Sequence, residues 1–206
     1  MTRLVFLRHA ESEANLNRLF YGARTNVNII EFGRKQAEKT AEYLRDTHID
    51  IAYSSDLVRV IQTAKPTVKG RDIPFIITRE LREIDGGKFD GISWVEISEK
   101  YPDELYLWKN DFANAKLPDG ETVEDFQKRI ILAVDKIVKG NKGKTVLIAT
   151  HACPIRVMVN KYLGNKCSEI NMSPWASNAS VTIVDIDDDG KAEIKLCGYN
   201  EHLNNI

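Results

Sequence analysis

An α/β fold, a three-layer α/β/α sandwich around a largely parallel central sheet, is what this 206-residue sequence predicts. Two patterns carry that prediction. Short apolar runs alternate with amphipathic stretches along most of the chain, and polar residues begin abruptly where apolar runs end.

The first run, Val5-Phe6-Leu7, is short and unbroken, as expected of a strand buried on both faces. Glu31 to Arg45 places Phe32, Ala37, Ala41 and Leu44 at helical spacing with charges opposite. Ile49 to Tyr53 reads as a second strand, and Ser54-Ser55-Asp56 offers capping oxygens to a helix over Leu57 to Ala64. Pro66 and Gly70 are expected to end that helix. Pro74 to Thr78 is a third strand, followed by a glycine loop at Asp85-Gly86-Gly87. Ser93 to Tyr101 and Asp103 to Asn110 form short helices bearing Trp94, Tyr106 and Trp108, of which at least two are expected in the core. After a turn at Pro118-Asp119-Gly120, the clearest helix runs from Glu121 to Lys139. Lys144 to Thr150 is the central strand, and a helix opened by Pro154 reaches about Leu163. Ser180 to Ile186 and Ala192 to Leu196 close the chain as a hairpin. One domain over residues 1–206 is expected, with residues of about 89–118 as an insert over the edge of the sheet that carries the site.

Composition narrows the function. A net charge of -1 gives no reason to expect nucleic acid or an anionic membrane as partner, so any anion site must be a local cluster of cations. No apolar run approaches the ~20 residues needed to cross a bilayer, and the chain opens on a strand, which predicts a cytoplasmic protein. Cys153, Cys167 and Cys197 are odd in number and lack C-x-x-C spacing, so reduced thiols are expected. His48 and His202 are expected at the surface.

Arg8 and His9 stand at the end of the first strand, Arg59 just inside a helix, and His151 at the end of the central strand. Ligands in open α/β sheets collect at such carboxyl ends, and arginine forks with histidines suit a phosphoryl dianion. No H-x-H, H-E-x-x-H or H-x-x-x-H pairing occurs, and the arginines would repel a dication, so neither a metal nor another cofactor is expected.

The segments LRHAESEAN, YGARTNVNIIEFGRKQA, SSDLVRVIQTA, LREIDGGKFDGIS, PDGETVEDFQKRI and VLIATHACPIRV, in this order from Leu4 to about Val157, resemble the histidine phosphatase superfamily, the phosphoglycerate-mutase-like proteins. The resemblance implies that His9 is the nucleophile, transiently phosphorylated, with Arg8, Arg59 and His151 around the transferring group. Asn15 would add a hydrogen bond, Glu83 would be the general acid, with Asp85 and Asp90 as rivals, and Tyr21 and Gly22 would lie near the substrate. His151 is expected to work protonated. Substrate contacts are also expected from the aromatic insert and from Pro118 to Thr122.

The implied activity is that of a histidine acid-type phosphatase, a phosphoric monoester hydrolase acting on small phosphorylated metabolites. Cofactor-dependent phosphoglycerate mutase is the alternative, disfavoured by the short chain and by PDGET, and an inactive phosphate-binding module is a third. Oligomeric state stays open, a homodimer included. Ala10 and Ala152 depart from the family's usual glycines, which matters only if a positive φ is required there. Ile30 replaces a capping Thr, with Asn28 as a substitute cap.

Overall fold

The computed structural model describes residues 1–204 and 206. Its centre is a six-stranded sheet in the order β3-β2-β4-β1-β5-β6, built from β1 Thr2–Arg8, β2 Ile51–Ser55, β3 Phe75–Thr78, β4 Thr145–Thr150, β5 Val181–Ile186 and β6 Ala192–Tyr199. β1, β4, β2 and β3 pair in parallel, and β5 is antiparallel to both β1 and β6. A strand buried on both faces sends alternate side chains to two cores. Leu4 and Phe6 of β1 meet Phe126, Ile130 and Val134 of α6 (Val123–Gly140) and Met158 of α7 (Ala152–Tyr162). Val5 and Leu7 meet Leu44, which follows α2 (Glu31–Tyr43), the helix after the single turn α1 (Glu13–Leu16), together with Val60 and Ala64 of α3 (Val58–Val68). Those two cores, one per face, make the three layers.

Segment 89–118 holds α4 (Trp94–Lys100) and α5 (Pro102–Asn110), and its Phe89, Ile97, Leu105 and Phe112 join the α6 core. Pro66 lies within α3, which continues to Val68, whereas Gly70 does turn the chain, at φ +77°. Ser54-Ser55-Asp56 does not cap α3: both serines belong to β2, and the cap position is Leu57 with no side-chain bond. Asn28 does not cap α2 either, since its Oδ1 accepts from Gln62 Nε2 at 2.9 Å. His48 is exposed as expected, but His202 is half-buried, stacked on Tyr43 at 4.9 Å and bonded to Thr40 Oγ1 at 2.9 Å.

Candidate active site

Parallel pairing of β1 with β4 sets Arg8 beside Thr150, so His9 and His151 emerge from neighbouring strand ends. Their ring centroids are 5.3 Å apart at 64°. Arg8, His9, Asn15, Tyr21, Arg59 and Glu83 line one cavity of about 790 Å³, with fully buried His151 beside it.

His9 Nδ1 lies 2.8 Å from the carbonyl oxygen of Ala10. A carbonyl only accepts, so Nδ1 carries the hydrogen and Nε2 keeps its lone pair. Burial first, then the charges of Arg59 and Arg8, hold this imidazole well below its ordinary pKa and therefore neutral. The loop is pinned by Ala10 N donating to Thr63 Oγ1 at 2.9 Å and by Asn178 Nδ2 donating to the His9 carbonyl at 3.0 Å. Neither Ala10 nor Ala152 has a positive φ, so replacing glycine there brings no backbone strain.

His151 departs from the expectation of a protonated ring. Burial, followed by the charge of Arg59, pushes its pKa well down, so the imidazole is neutral in the free protein. Its Nε2 is 3.0 Å from Ser55 Oγ, an oxygen that already accepts from Leu57 N at 3.4 Å. The Ser55 O–H has no other acceptor among the described residues, so it is satisfied only by donating to Nε2, and the ring hydrogen is then on Nδ1. That nitrogen is buried with no partner, as is Nε of Arg8. Two buried donors without acceptors are costly to leave so, and the oxygens of a bound anion would supply acceptors.

The arginines are equally poised. Arg59 is 1% exposed and its guanidinium donates to the carbonyls of Thr25 at 3.0 Å and Gly22 at 3.1 Å. Arg8 Nη1 donates to the Ala176 carbonyl at 2.5 Å. Among the described residues neither forms an ion pair, and burial pushes Arg59 down to about 10. Buried cations with no carboxylate in direct ion-pair contact, though Glu83 and Asp90 lie within reach of their charge, make an electropositive floor.

Glu83 is 8% exposed; Oε1 accepts from Ile84 N at 3.0 Å and Oε2 from Cys153 N at 3.2 Å. Burial raises its pKa despite these bonds. The rival carboxylates are structural and do not line the cavity: Asp90 accepts from Gly22 N at 2.8 Å, and Asp85 from Gly87 N at 2.9 Å. Asn15 Oδ1 accepts from Ser12 N and Oγ at 3.0 and 2.8 Å, which leaves its amide hydrogens for the cavity.

Other expectations shift. Gly22 does not line the cavity; its carbonyl holds Arg59, and a Cβ there would stand 2.2 Å from the Ile84 oxygen. Trp94 and Trp108 are half-buried and pack against the core, as expected of two of the three, but they also line the cavity, whereas Tyr106 is 66% exposed. Pro118 to Thr122 packs elsewhere, with Gly120 N near Leu117 and Glu121 N bonded to Asp85. Ser55, the backbone of Cys153, Arg18 and Trp175 join the site beyond the residues the sequence points to. Ser55 had a signal: it ends the strand that pairs with the one bearing His151.

Among the described residues no three His, Cys, Asp or Glu side chains cluster as a metal ion would need, and no helix is long and apolar enough to cross a membrane.

Comparison with known proteins gives the family and the fold. The family model described as histidine phosphatase superfamily (branch 1) matches residues 4–198. Phosphoserine phosphatase 1 of Hydrogenobacter thermophilus is 29% identical over 196 residues, covering 95% of this chain and 92% of that protein. A 2,3-bisphosphoglycerate-dependent phosphoglycerate mutase of Cytophaga hutchinsonii is 32% identical over 164 residues, 77% of this chain and 76% of the relative. Among solved structures, Bacillus stearothermophilus YhfR superposes with a TM-score of 0.93 at 27% identity, over 99% of this chain and all of that one. The strand-end histidines and their arginines thus sit in a chain that belongs to the histidine phosphatase superfamily, branch 1.

Proposed function

We propose that the protein is an acid-type phosphatase that hydrolyses phosphate monoesters through a phosphohistidine on His9. The observation that carries this reading is the pair of buried, partnerless donors, Arg8 Nε and His151 Nδ1, beside a His9 whose Nε2 lone pair is fixed by tautomer. An ester's dianionic phosphoryl group supplies the missing acceptors.

In the first step Nε2 of His9 attacks phosphorus, a P–N bond forms, and the P–O bond to the alcohol breaks. The departing oxygen takes its electron pair and receives the proton of Glu83. In the second step water attacks phospho-His9 and gives a proton to the Glu83 carboxylate. The P–N bond breaks and its electrons return to Nε2. Arg8, Arg59 and the Nδ1–H of His151 stabilise charge on the equatorial oxygens throughout. Asn15 donates to the same group. Burial lowers the His9 pKa and raises that of Glu83, and both shifts favour the pair of states the step needs, a neutral imidazole and a protonated carboxyl. The free state of Cys153, Cys167 and Cys197 supports a cytoplasmic setting.

The mutase reading draws on the Cytophaga relative and shares the first step; an acceptor hydroxyl, in place of water, would then take the phosphoryl group. A panel of phosphate esters scored for both inorganic phosphate release and 3- to 2-phosphoglycerate interconversion separates the two. Stoichiometric phosphate release is expected. Interconversion without release would overturn the hydrolase reading.

A further inference from the structure

Outside the phosphoryl position, the cavity is walled by Phe20, Tyr21, Trp94, Val95, Trp108 and Trp175. These rings are braced from behind. Phe20 packs edge-on against Trp94 at 5.4 Å and Trp108 at 5.1 Å, and Trp108 meets Phe112 at 4.9 Å. Trp175 is held under the guanidinium of Arg156 at 4.4 Å, and Arg156 is fixed in turn by the carbonyls of Ser173 and Asn171, both at 2.9 Å. Although braced, the three tryptophans keep surface uncovered: Trp94 and Trp108 are half-buried and Trp175 is 49% exposed. A wall so rigid loses little entropy when a ligand packs on it.

Size and charge point the same way. At about 790 Å³ the cavity is far larger than a phosphoryl group, within the ~300–1,000 Å³ range that holds whole small molecules. Among the described residues Glu83 is the only carboxylate in its lining, and the reaction already occupies it with the leaving oxygen. The remaining charged group is Arg18, whose guanidinium has no ion-pair partner among the described residues. An ammonium in this cavity would lose water, find no counter-charge and meet a cation.

We propose that the cavity selects phosphate monoesters whose alcohol carries an aromatic or comparably bulky apolar body and no ammonium group. The inference rests on the phosphatase reading above. It separates this chain from an enzyme for phosphoserine, the activity named for the Hydrogenobacter relative.

The test compares esters of primary alcohols on the intact protein, so that leaving-group acidity differs little. The kcat/KM for 2-phenylethyl phosphate is expected to exceed that for ethyl phosphate by about tenfold or more, from burial of the ring. It is expected to exceed that for O-phosphoserine by a larger factor. Trp108→Ala and, separately, Trp94→Ala should shrink the phenylethyl-to-ethyl ratio. The wild-type ratio needs no variant to fold. A ratio near one, or phosphoserine as the better substrate, with turnover still abolished by His9→Ala, overturns the selectivity and leaves the phosphatase reading standing. Absence of turnover of every ester overturns both.

Discussion

Ser55 Oγ lies 3.0 Å from Nε2 of His151, and both residues are fully buried. The serine acts on the imidazole from the side away from its free nitrogen, choosing which tautomer the ring adopts. Ser55→Ala removes that choice. The expected result is a fall in kcat of about tenfold, the scale of one buried hydrogen bond, with a smaller change in KM. Ser55→Thr keeps the hydroxyl and should recover most of the rate. A kcat for the alanine variant equal to wild type would show that His151 needs no partner.

The nucleophile itself is open to direct chemical test. Rapid quenching during turnover of a labelled ester should trap label on the protein in acid-labile, base-stable form, as a phosphoramidate behaves. His9→Ala should abolish the label and lower kcat/KM by at least about 10³-fold. Label persisting in that variant would place the covalent chemistry on another residue.

Much of this arrangement was legible in the sequence, for a physical reason. Val5-Phe6-Leu7 and the run Val146 to Thr150 are buried on both faces, so their ends had to be where polar residues could first reach a ligand. What escaped was whatever depends on a neighbour distant in sequence. Ser55 has the composition of a helix cap and became a histidine partner only because β2 lies against β4. The task of His151 suits a charged ring, but burial first and the neighbouring arginines second decide otherwise. Trp94 and Trp108 have helical spacing that fits core or cavity equally, and they serve both, which periodicity cannot distinguish.

Glu83 as proton donor predicts a dependence on the leaving group. An alkoxide cannot depart without a proton, whereas p-nitrophenolate can. Glu83→Gln keeps the shape and an acceptor for Cys153 N but has no proton to give. The loss of kcat/KM should reach about 10²-fold or more for ethyl phosphate and be much smaller for p-nitrophenyl phosphate. Equal losses on both esters would mean that Glu83 only shapes the site.

The same buried groups set how stability varies with pH. His9 and His151 are held well below their ordinary value of 6.5. As pH falls through that value the unfolded chain takes up protons that the folded chain refuses, so stability is lost from about pH 6.5 down to their lowered pKa values. Each imidazole contributes about 1.4 kcal/mol per pH unit in that window. Glu83 opposes them: its pKa is raised above 4.5, so its contribution is full below that value and is lost as pH climbs through the raised one. His202, whose pKa burial also lowers, adds to the two site imidazoles, and three imidazoles against one carboxyl give a net rise in stability from pH 5 to pH 7. The urea midpoint should rise accordingly, and His151→Gln should flatten the slope. A midpoint that falls with rising pH would contradict neutral, buried histidines.

Gly22 shows how a residue outside the cavity can govern the anion site. Its carbonyl receives Arg59 Nη2 at 3.1 Å while its N–H donates to Asp90 Oδ1 at 2.8 Å. A Cβ added there would come within 2.2 Å of the Ile84 carbonyl oxygen and 2.8 Å of Gly86 N, both backbone atoms that cannot swing aside. Ile84 also follows Glu83, so relief of the clash shifts the strand of chain bearing the acid as well as the carbonyl aiming the arginine. Gly22→Ala is therefore expected to cost about 1–3 kcal/mol of stability by urea denaturation. The folded fraction should also bind inorganic phosphate more weakly, because Arg59 no longer sits where the tautomer-fixed His9 needs its charge. Wild-type phosphate affinity in a destabilised Gly22→Ala protein would mean that Arg59 holds its place without that carbonyl.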